Sequence, residues 1–324
     1  MKAVLCKAYG PPETLVIEDV PSPEPGPGDV VVSVKAASVN FPDVLIIQNK
    51  YQFKPPLPFS PGSEVAGIVK AVGDGVTNVA AGDPVMAFTT YGAFAEEVMT
   101  DARRLLPLPP GMDFVSAAAF GLTYATSDHA LRDRGQLAAG ETLLVLGAAG
   151  GVGLAAIEIG KALGARVIAC ASTDDKLAVC RAHGADENIN YATDDLRERI
   201  KSLTDGHGVD VVYDPVGGSY SEPALRSLAW RGRLLVVGFA AGDIPKIPLN
   251  LTLLKGCSIV GVFWGEFTRR EPQRFAESMQ QLGRWYAAGK LKPHVSHTYP
   301  LARAAEALTQ MANRQVKGKV VLTV

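Results

Sequence analysis

The segment from Glu141 to Gly153 constrains the fold of this chain more than any other part of its sequence. An apolar run over residues 143–146 leads into a glycine-rich stretch, and a helical pattern follows over residues 151–163. Continuous apolar runs are typical of buried parallel strands, and glycines let a backbone turn sharply against a pyrophosphate. The first amides of the helix would then face the anion. The segment therefore predicts a dinucleotide site.

The glycine pattern departs from the usual G-x-G-x-x-G fingerprint, because Ala148 stands at its first position. Gly150 and Gly153 remain, and a second apolar strand over residues 166–172 follows at the distance that a βαβ unit requires. This context favours a ligand site over a tight turn without a ligand. We expect the cofactor to contact Gly150, Gly151, Val152 and Gly153.

The order of the predicted elements divides the chain of 324 residues into two domains. Short strands separated by Pro/Gly clusters fill the first hundred residues, which favours a partly open barrel. From about residue 140 strands alternate with helices, as in an α/β doubly wound parallel sheet, and six strands are predicted there. The pattern also predicts a helix over residues 219–230 and, after about residue 265, one clear helix over residues 271–288. We expect the tail to return to the first domain, so that residues 1–122 and 265–324 form one domain and residues 123–264 the other, with the reacting groups in the cleft between them.

The net charge and the cysteine positions limit which ligands and binding partners the chain is expected to have. The formal net charge is −1, and no cluster of basic residues appears, so we expect a small neutral substrate and no nucleic acid. No apolar run has the length of a membrane span, and the first residues are strand-like without a signal sequence, which predicts a cytoplasmic protein. The four cysteines are scattered, which argues against a disulfide framework or a zinc cluster.

Several motifs together resemble those of the zinc-independent NADPH:quinone oxidoreductases of the medium-chain dehydrogenase/reductase superfamily, and the resemblance runs from end to end. The motifs are Asn40-Phe-Pro-Asp43, Pro58-Phe-Ser-Pro-Gly-Ser-Glu-Val-Ala-Gly67, Ala148-Ala-Gly-Gly-Val-Gly153, Asp214-Pro-Val-Gly-Gly218, Gly238-Phe239, Pro248-Leu-Asn250 and Gly261-Val-Phe-Trp-Gly265. The resemblance implies a Rossmann domain inserted in a β-rich GroES-like catalytic domain.

The zinc-dependent alcohol dehydrogenases of the same superfamily have a cysteine where this chain has Asn40 and a histidine where it has Ser63. A catalytic zinc needs about three protein ligands of the Cys, His or carboxylate type, and only Asp43 and Glu64 remain at comparable positions. We therefore predict no metal. The pair His294 and His297 is expected to lie in a surface turn.

Without a metal the acceptor must already be electrophilic, as quinones and α,β-unsaturated carbonyls are. The resemblance implies an acceptor pocket with Asn40, Tyr51 and Thr126 as catalytic residues and with Asp43, Tyr124 and Trp264 lining it. Three alternatives stay open at this point: Asn40 also contacts the ribose or the nicotinamide side of the cofactor, Tyr51 lies on a loop with its hydroxyl in water, or Tyr124 belongs to the core.

The end of the second strand indicates which nicotinamide cofactor is bound, because the 2′ position of the adenosine ribose is recognised there. Ser172 follows the strand, and the resemblance implies a 2′-phosphate site formed by Lys176, Tyr191 and Arg314, hence NADPH. Asp174 and Asp175 are the contrary signal, since carboxylates can bind the ribose hydroxyls of NADH. We interpret them as the cap and first turn of the next helix.

Strand order supplies the remaining cofactor contacts. Ligands of open parallel sheets lie beyond the carboxyl ends of the strands, which adds Gly238, Phe239 and Phe263. The strand over residues 257–263 is apolar and late in the sheet, and by resemblance we expect it to pair in a homodimer.

Two further hypotheses remain at the level of sequence. One is an NADPH-dependent reductase of enals, enones or enoyl groups. The other, of a different class, is a non-catalytic, crystallin-like protein that binds NADPH or RNA.

Overall fold

The computed structural model describes all residues, Met1–Val324, and the chain forms two compact units. The first unit comprises Met1–Leu122 and Pro293–Val324, and the second comprises Thr123–Lys292. None of the helices combines the length and the apolar character that crossing a bilayer requires.

The first unit begins with short strands. Its elements are β1 (Lys2–Leu5), β2 (Val16–Asp19), β3 (Asp29–Val39), α1 (Phe41–Ile46), β4 (Glu64–Val72), β5 (Pro84–Phe88), β6 (Glu97–Asp101) and β7 (Leu105–Pro107), and α2 (Phe114–Asp128) follows. β3 is the centre of a seven-stranded sheet, because it pairs with both β4 and β6. The sequence analysis missed β6, β7 and α1.

The second unit contains the predicted parallel sheet. Its elements are β8 (Thr142–Val145), α3 (Gly151–Ala162), β9 (Arg166–Ala171), α4 (Asp174–Ala182), β10 (Glu187–Asn190), α5 (Leu196–Leu203), β11 (Val209–Asp214), α6 (Ser221–Arg226), β12 (Leu228–Val236), α7 (Asn250–Lys255), β13 (Ser258–Gly261), α8 (Trp264–Arg270) and α9 (Pro272–Ala287). The six strands run parallel in the order β10-β9-β8-β11-β12-β13. The order reverses between β8 and β11, which is where such sheets bind their ligands.

The tail contributes β14 (Val295–Pro300), α10 (Ala304–Ala312) and β15 (Lys319–Thr323). β15 pairs antiparallel with β3 and parallel with β14, so the last residues complete the sheet of the first unit. Val320 and Leu322 of β15 enter the same apolar core as Val32 and Val65.

The segment over residues 265–292 belongs to the second unit, whereas the sequence analysis placed it with the first. Side chains of α8 and α9 explain the difference. Phe267 stacks on the buried His129 ring at a centroid distance of 4.0 Å, and the Ser278 hydroxyl donates to the buried Asp128 carboxylate at 2.5 Å. These contacts hold the segment against the end of α2.

Two local predictions were wrong. The helix predicted over residues 219–230 is the short α6, because the chain enters β12 at Leu228 beside Val209. His297, expected in a turn, lies in β14, where it pairs with Val320 of β15.

Candidate active site

The glycine-rich turn after β8 is built so closely that side chains are excluded from it. Gly147 has a positive φ of 57°, and Gly150 caps α3. A Cβ at Gly153 would lie 2.5 Å from the Gly147 carbonyl oxygen and 2.6 Å from the Ala148 carbonyl oxygen. Only glycine allows the helix to begin against its own turn in this way. The amides of Gly151 and Val152 lie in the first turn of α3, where an anion is stabilised.

Two hydroxyl groups from neighbouring elements form a chain of hydrogen bonds that ends on the start of α3. The Ser127 hydroxyl donates to the Val152 carbonyl oxygen at 2.8 Å, and the fully buried Tyr213 hydroxyl lies 2.9 Å from the Ser127 oxygen. Since the Ser127 hydrogen is used, Tyr213 is the donor of the second bond. The turn is therefore fixed from α2 and β11 as well as by its own glycines.

Several polar side chains contact one another at the end of β9. The Lys176 ammonium lies 3.4 Å from the Ser172 hydroxyl, and the Thr173 hydroxyl accepts from the Lys176 amide at 3.3 Å. The helix cap is therefore Thr173, and Asp174 and Asp175 occupy the first turn of α4. The Asp174 carboxylate accepts from the Asn190 side chain at 3.0 Å. The cap interpretation of these carboxylates was thus wrong by one residue, whereas their place in the first turn agrees with it.

The other two residues of the predicted 2′-phosphate site lie in different units. Tyr191 follows β10 in the second unit and packs against Tyr220 with a centroid distance of 4.4 Å. Arg314 is exposed in the first unit, with a positive φ of 57°.

A buried carboxylate organises the loop after β11, which packs against the loop after β12. Asp214 accepts from the amides of Val216 and Gly217 at 2.9 and 2.8 Å and from the Ser221 hydroxyl at 2.5 Å. A Cβ at Gly217 would lie 2.8 Å from the Phe239 ring, so the two loops touch. This packing fixes the backbone around Gly238 at the carboxyl edge of the sheet.

The aromatic residues after β12 and β13 are less enclosed. The Phe263 side chain is 60% exposed and Phe239 is 37% exposed. Trp264 begins α8 and meets the Phe275 ring edge-on at 5.9 Å. Phe239 and Phe263 therefore offer apolar area at the edge of the sheet where a ligand is expected.

A buried polar cluster lies in the first unit, where α1 begins beside β3, β4 and β15. It consists of Asn40, Asp43, Glu64 and Lys319, each at most 5% exposed. The Asp43 carboxylate accepts a hydrogen bond from the backbone amide of Asn40 at 2.7 Å. Glu64 accepts from the Leu122 amide at 2.6 Å. Lys319 donates to the Asn40 side-chain oxygen at 2.5 Å, and its nitrogen lies 3.8 Å from the Glu64 carboxylate.

Burial dominates the electrostatics of this cluster, which we name the Asn40 cluster. Burial raises the pKa of Asp43 to about 7, although the hydrogen bond from the Asn40 backbone amide and the positive charge of Lys319 both act to lower it. It also raises the pKa of Glu64 and lowers that of Lys319, and in both cases the opposite charge of the partner limits the shift. One cation thus faces two carboxyl groups, of which Asp43 holds its proton up to neutral pH.

The three remaining predicted residues differ in their surroundings. Tyr51 is half-buried near the cluster, and burial and the Asp43 charge raise its pKa. Tyr124 is buried in the second unit and donates to Glu158 at 2.7 Å, which favours the core alternative for this residue. Thr126 is half-buried in the last turn of α2.

Sequence reasoning missed Lys319 altogether and treated Glu64 only as a leftover ligand type. A lysine that opens the apolar run Lys319-Val-Val-Leu322 is a weak signal, because many strands begin with an exposed lysine. The structure contains no group of three His, Cys, Asp or Glu side chains that could hold a metal ion.

Comparison with known proteins identifies both units. Residues 26–110 match the alcohol dehydrogenase GroES-like domain, and residues 151–283 match the zinc-binding dehydrogenase domain. The quinone oxidoreductase-like protein 2 homolog of Nematostella vectensis is 39% identical over 99% of this chain and 88% of its own length. The quinone oxidoreductase of Pseudomonas aeruginosa is 37% identical over 99% of both chains.

Solved structures agree with these relatives. The crystal structure of Escherichia coli quinone oxidoreductase complexed with NADPH superposes with a TM-score of 0.94 at 32% identity, and all of both chains is covered. Both the fold and the sequence are thus shared over the full length. The chain belongs to the quinone oxidoreductase family of the medium-chain dehydrogenase/reductase superfamily.

Proposed function

We propose that this protein is an NADPH-dependent oxidoreductase that reduces quinones without a zinc ion. The observation that carries the proposal is the full-length similarity to quinone oxidoreductases, one of them solved with NADPH. The turn after β8 and the Asn40 cluster are the two parts of the structure that support it.

The turn after β8 fits a dinucleotide. The glycines let α3 begin close against its own turn, and the amides of Gly151 and Val152 in its first turn would bind a pyrophosphate. We assign the 2′-phosphate to Ser172, Lys176, Tyr191 and Arg314, and the nicotinamide half to Gly238, Phe239 and Phe263. When bound, NADPH supplies a hydride to the acceptor.

The Asn40 cluster supports chemistry without zinc. A buried ammonium stands among its carboxyl groups, 2.5 Å from the Asn40 oxygen. A divalent cation placed there would be repelled by Lys319 in a medium of low dielectric constant. Asn40 and Ser63 also replace the cysteine and histidine that zinc-dependent relatives use. The Lys319 charge and these side chains together disfavour a catalytic zinc at this cluster.

The side chains at hand suit an acceptor that is already electrophilic. In the first unit, Asn40 and Tyr51 supply hydrogen-bond donors that stabilise charge on an acceptor oxygen, and Asp43 holds a proton beside them. In the second unit we assign Thr126 as a donor and Trp264 as a wall of the pocket. Tyr124, the third predicted pocket residue there, is better explained by its bond to Glu158.

We further propose a cytoplasmic homodimer. β13 is an edge strand of the parallel sheet, and the side chains near it include Trp230, Leu253 and Leu254, each at least 70% exposed. An open apolar edge of this kind is covered when two copies pair through it. The four free cysteines suit a reducing compartment.

The test is a comparison of acceptors. Initial rates of NADPH oxidation are measured with small and polycyclic quinones and, in parallel, with enals and enones at matched concentrations. The proposal expects turnover concentrated on quinones. Turnover on the enones alone would make the protein a double-bond reductase, and tight NADPH binding without turnover on any acceptor would assign it a binding role.

A further inference from the structure

Lys319 is almost completely buried, which is rare for a lysine. Its side chain is 5% exposed, and its ammonium donates to the Val39 carbonyl oxygen at 3.2 Å and to the Asn40 side-chain oxygen at 2.5 Å. Lysine is almost never fully buried without partners, because the loss of hydration is costly. The partners of Lys319 replace part of this hydration, and their arrangement shows which group it serves.

Lys319 forms an ion pair with Glu64, but this pair does not account for its closest contact. The ammonium lies 3.8 Å from the Glu64 carboxylate and only 2.5 Å from the Asn40 amide oxygen, which has no net charge. Glu64 instead makes its short bond, at 2.6 Å, to the Leu122 amide. The closest contact of the Lys319 ammonium is therefore with the side-chain oxygen of Asn40.

This contact fixes the orientation of the Asn40 side chain. An ammonium has three donors and no acceptor, so the amide cannot rotate to bring its nitrogen to Lys319. The Asn40 nitrogen consequently faces the other way, where its contacts with Glu64 and Ser38 are long, at 3.4 and 3.5 Å. Both N–H groups of this side chain, which is 5% exposed, therefore have only long partners, and a ligand oxygen at normal hydrogen-bond distance would replace them.

We propose that Lys319 is a positioning residue for acceptor reduction, which holds the Asn40 amide so that its N–H groups donate to the acceptor oxygen. The inference rests on the proposed function. Charge develops on that oxygen as the hydride arrives, and a donor that is already oriented needs no reorganisation at that moment. The proton that completes the reduced acceptor comes from solvent, and the Asn40 amide keeps its own.

A double-mutant cycle tests this role. Lys319→Met and Asn40→Ala are each expected to lower kcat for quinone reduction about 10- to 100-fold, the range of a hydrogen bond to a charged group. The NADPH dissociation constant, followed by nicotinamide fluorescence, is expected to change less than about threefold, since the donor serves the acceptor. If Lys319 acts through Asn40, the double variant loses no more than either single variant.

Two further variants keep the test decisive. Lys319→Met leaves two buried carboxyl groups without a cation, so Lys319→Met with Glu64→Gln restores the charge balance if the single variant does not fold. This pair is expected to fold and to remain as slow as Asn40→Ala. Lys70→Met, which removes an exposed lysine paired with Glu97 in the same unit, is expected to keep the full rate.

The outcomes separate the two proposals. Losses that multiply in the Lys319/Asn40 double variant would overturn the positioning role, because Lys319 would then act independently of Asn40. A weakened NADPH affinity with an unchanged kcat would also overturn it and move Asn40 to the cofactor. An unmodified protein that reduces no quinone would refute the proposed function itself.

Discussion

The buried Asp43 carboxyl predicts an unusual dependence of stability on pH. Its pKa is about 7 in the folded chain and 3.8 as the ordinary reference value. Between these values the unfolded chain has released a proton that the folded chain keeps, so the free energy of unfolding falls as pH rises. Asp43 favours the fold most at low pH, and this contribution is lost as pH rises through about 7.

The magnitude follows from the two pKa values. A difference of about three units at about 1.4 kcal/mol each gives about 4 kcal/mol in total, more than half of which falls between pH 5 and pH 8. Asp43→Asn removes this titration. We therefore expect the variant to gain about 3 kcal/mol relative to the unmodified protein over that range, whatever their difference at pH 5.

Urea unfolding at pH 5, 6, 7 and 8 measures this gain. Asp101→Asn is the matched control in the same unit, because bonds to Arg103 lower the pKa of Asp101 to about 2. Its contribution is present above the unfolded pKa and is lost only in acid, so its difference from the unmodified protein is expected to stay flat from pH 5 to pH 8. A flat difference for Asp43→Asn as well would refute the electrostatic description of the cluster.

Three further substitutions test the remaining parts of the site. Gly153→Ala places a Cβ against the turn backbone and is expected to weaken NADPH binding at least about tenfold by overpacking. Gly283→Ala in α9, where nothing lies within 4 Å, is its control by the same fluorescence titration. Lys176→Ala is expected to raise the KM for NADPH about 10- to 100-fold and that for NADH less than twofold, and equal losses would contradict a 2′-phosphate contact. Tyr124→Phe is expected to lower the free energy of unfolding by about 1.5–3 kcal/mol, because a charged acceptor loses its donor, with kcat/KM within about threefold. A slow but fully stable variant would instead place the hydroxyl in the acceptor pocket.

The dinucleotide unit was predictable because its signals are local. The apolar run before Gly147, the glycines and the second strand lie within about thirty residues, and each has a direct backbone meaning. The secondary structure was predicted wrongly where pairing between strands overrides the local helix propensity. The chain after Arg226 has a helical composition, yet Leu228 continues as a strand because it meets Val209 in the sheet.

The Asn40 cluster was predictable only in part. Asn40 and Asp43 lie within one motif, but Lys319 reaches Asn40 across a separation of 279 residues. That contact depends on the register of β15 against β3, which no local pattern specifies. Similarly, the sequence places Tyr124 in a helix but does not specify that its hydroxyl meets Glu158.

The central claim is hydride transfer from NADPH to a quinone without zinc. It is tested most directly by the kcat/KM for a small quinone with NADPH, measured on protein dialysed against a strong chelator, with the metal content of the same sample determined. The account predicts full activity at less than a tenth of an equivalent of zinc and no gain when zinc is added back. Activity that falls with the metal and returns with added zinc would contradict it.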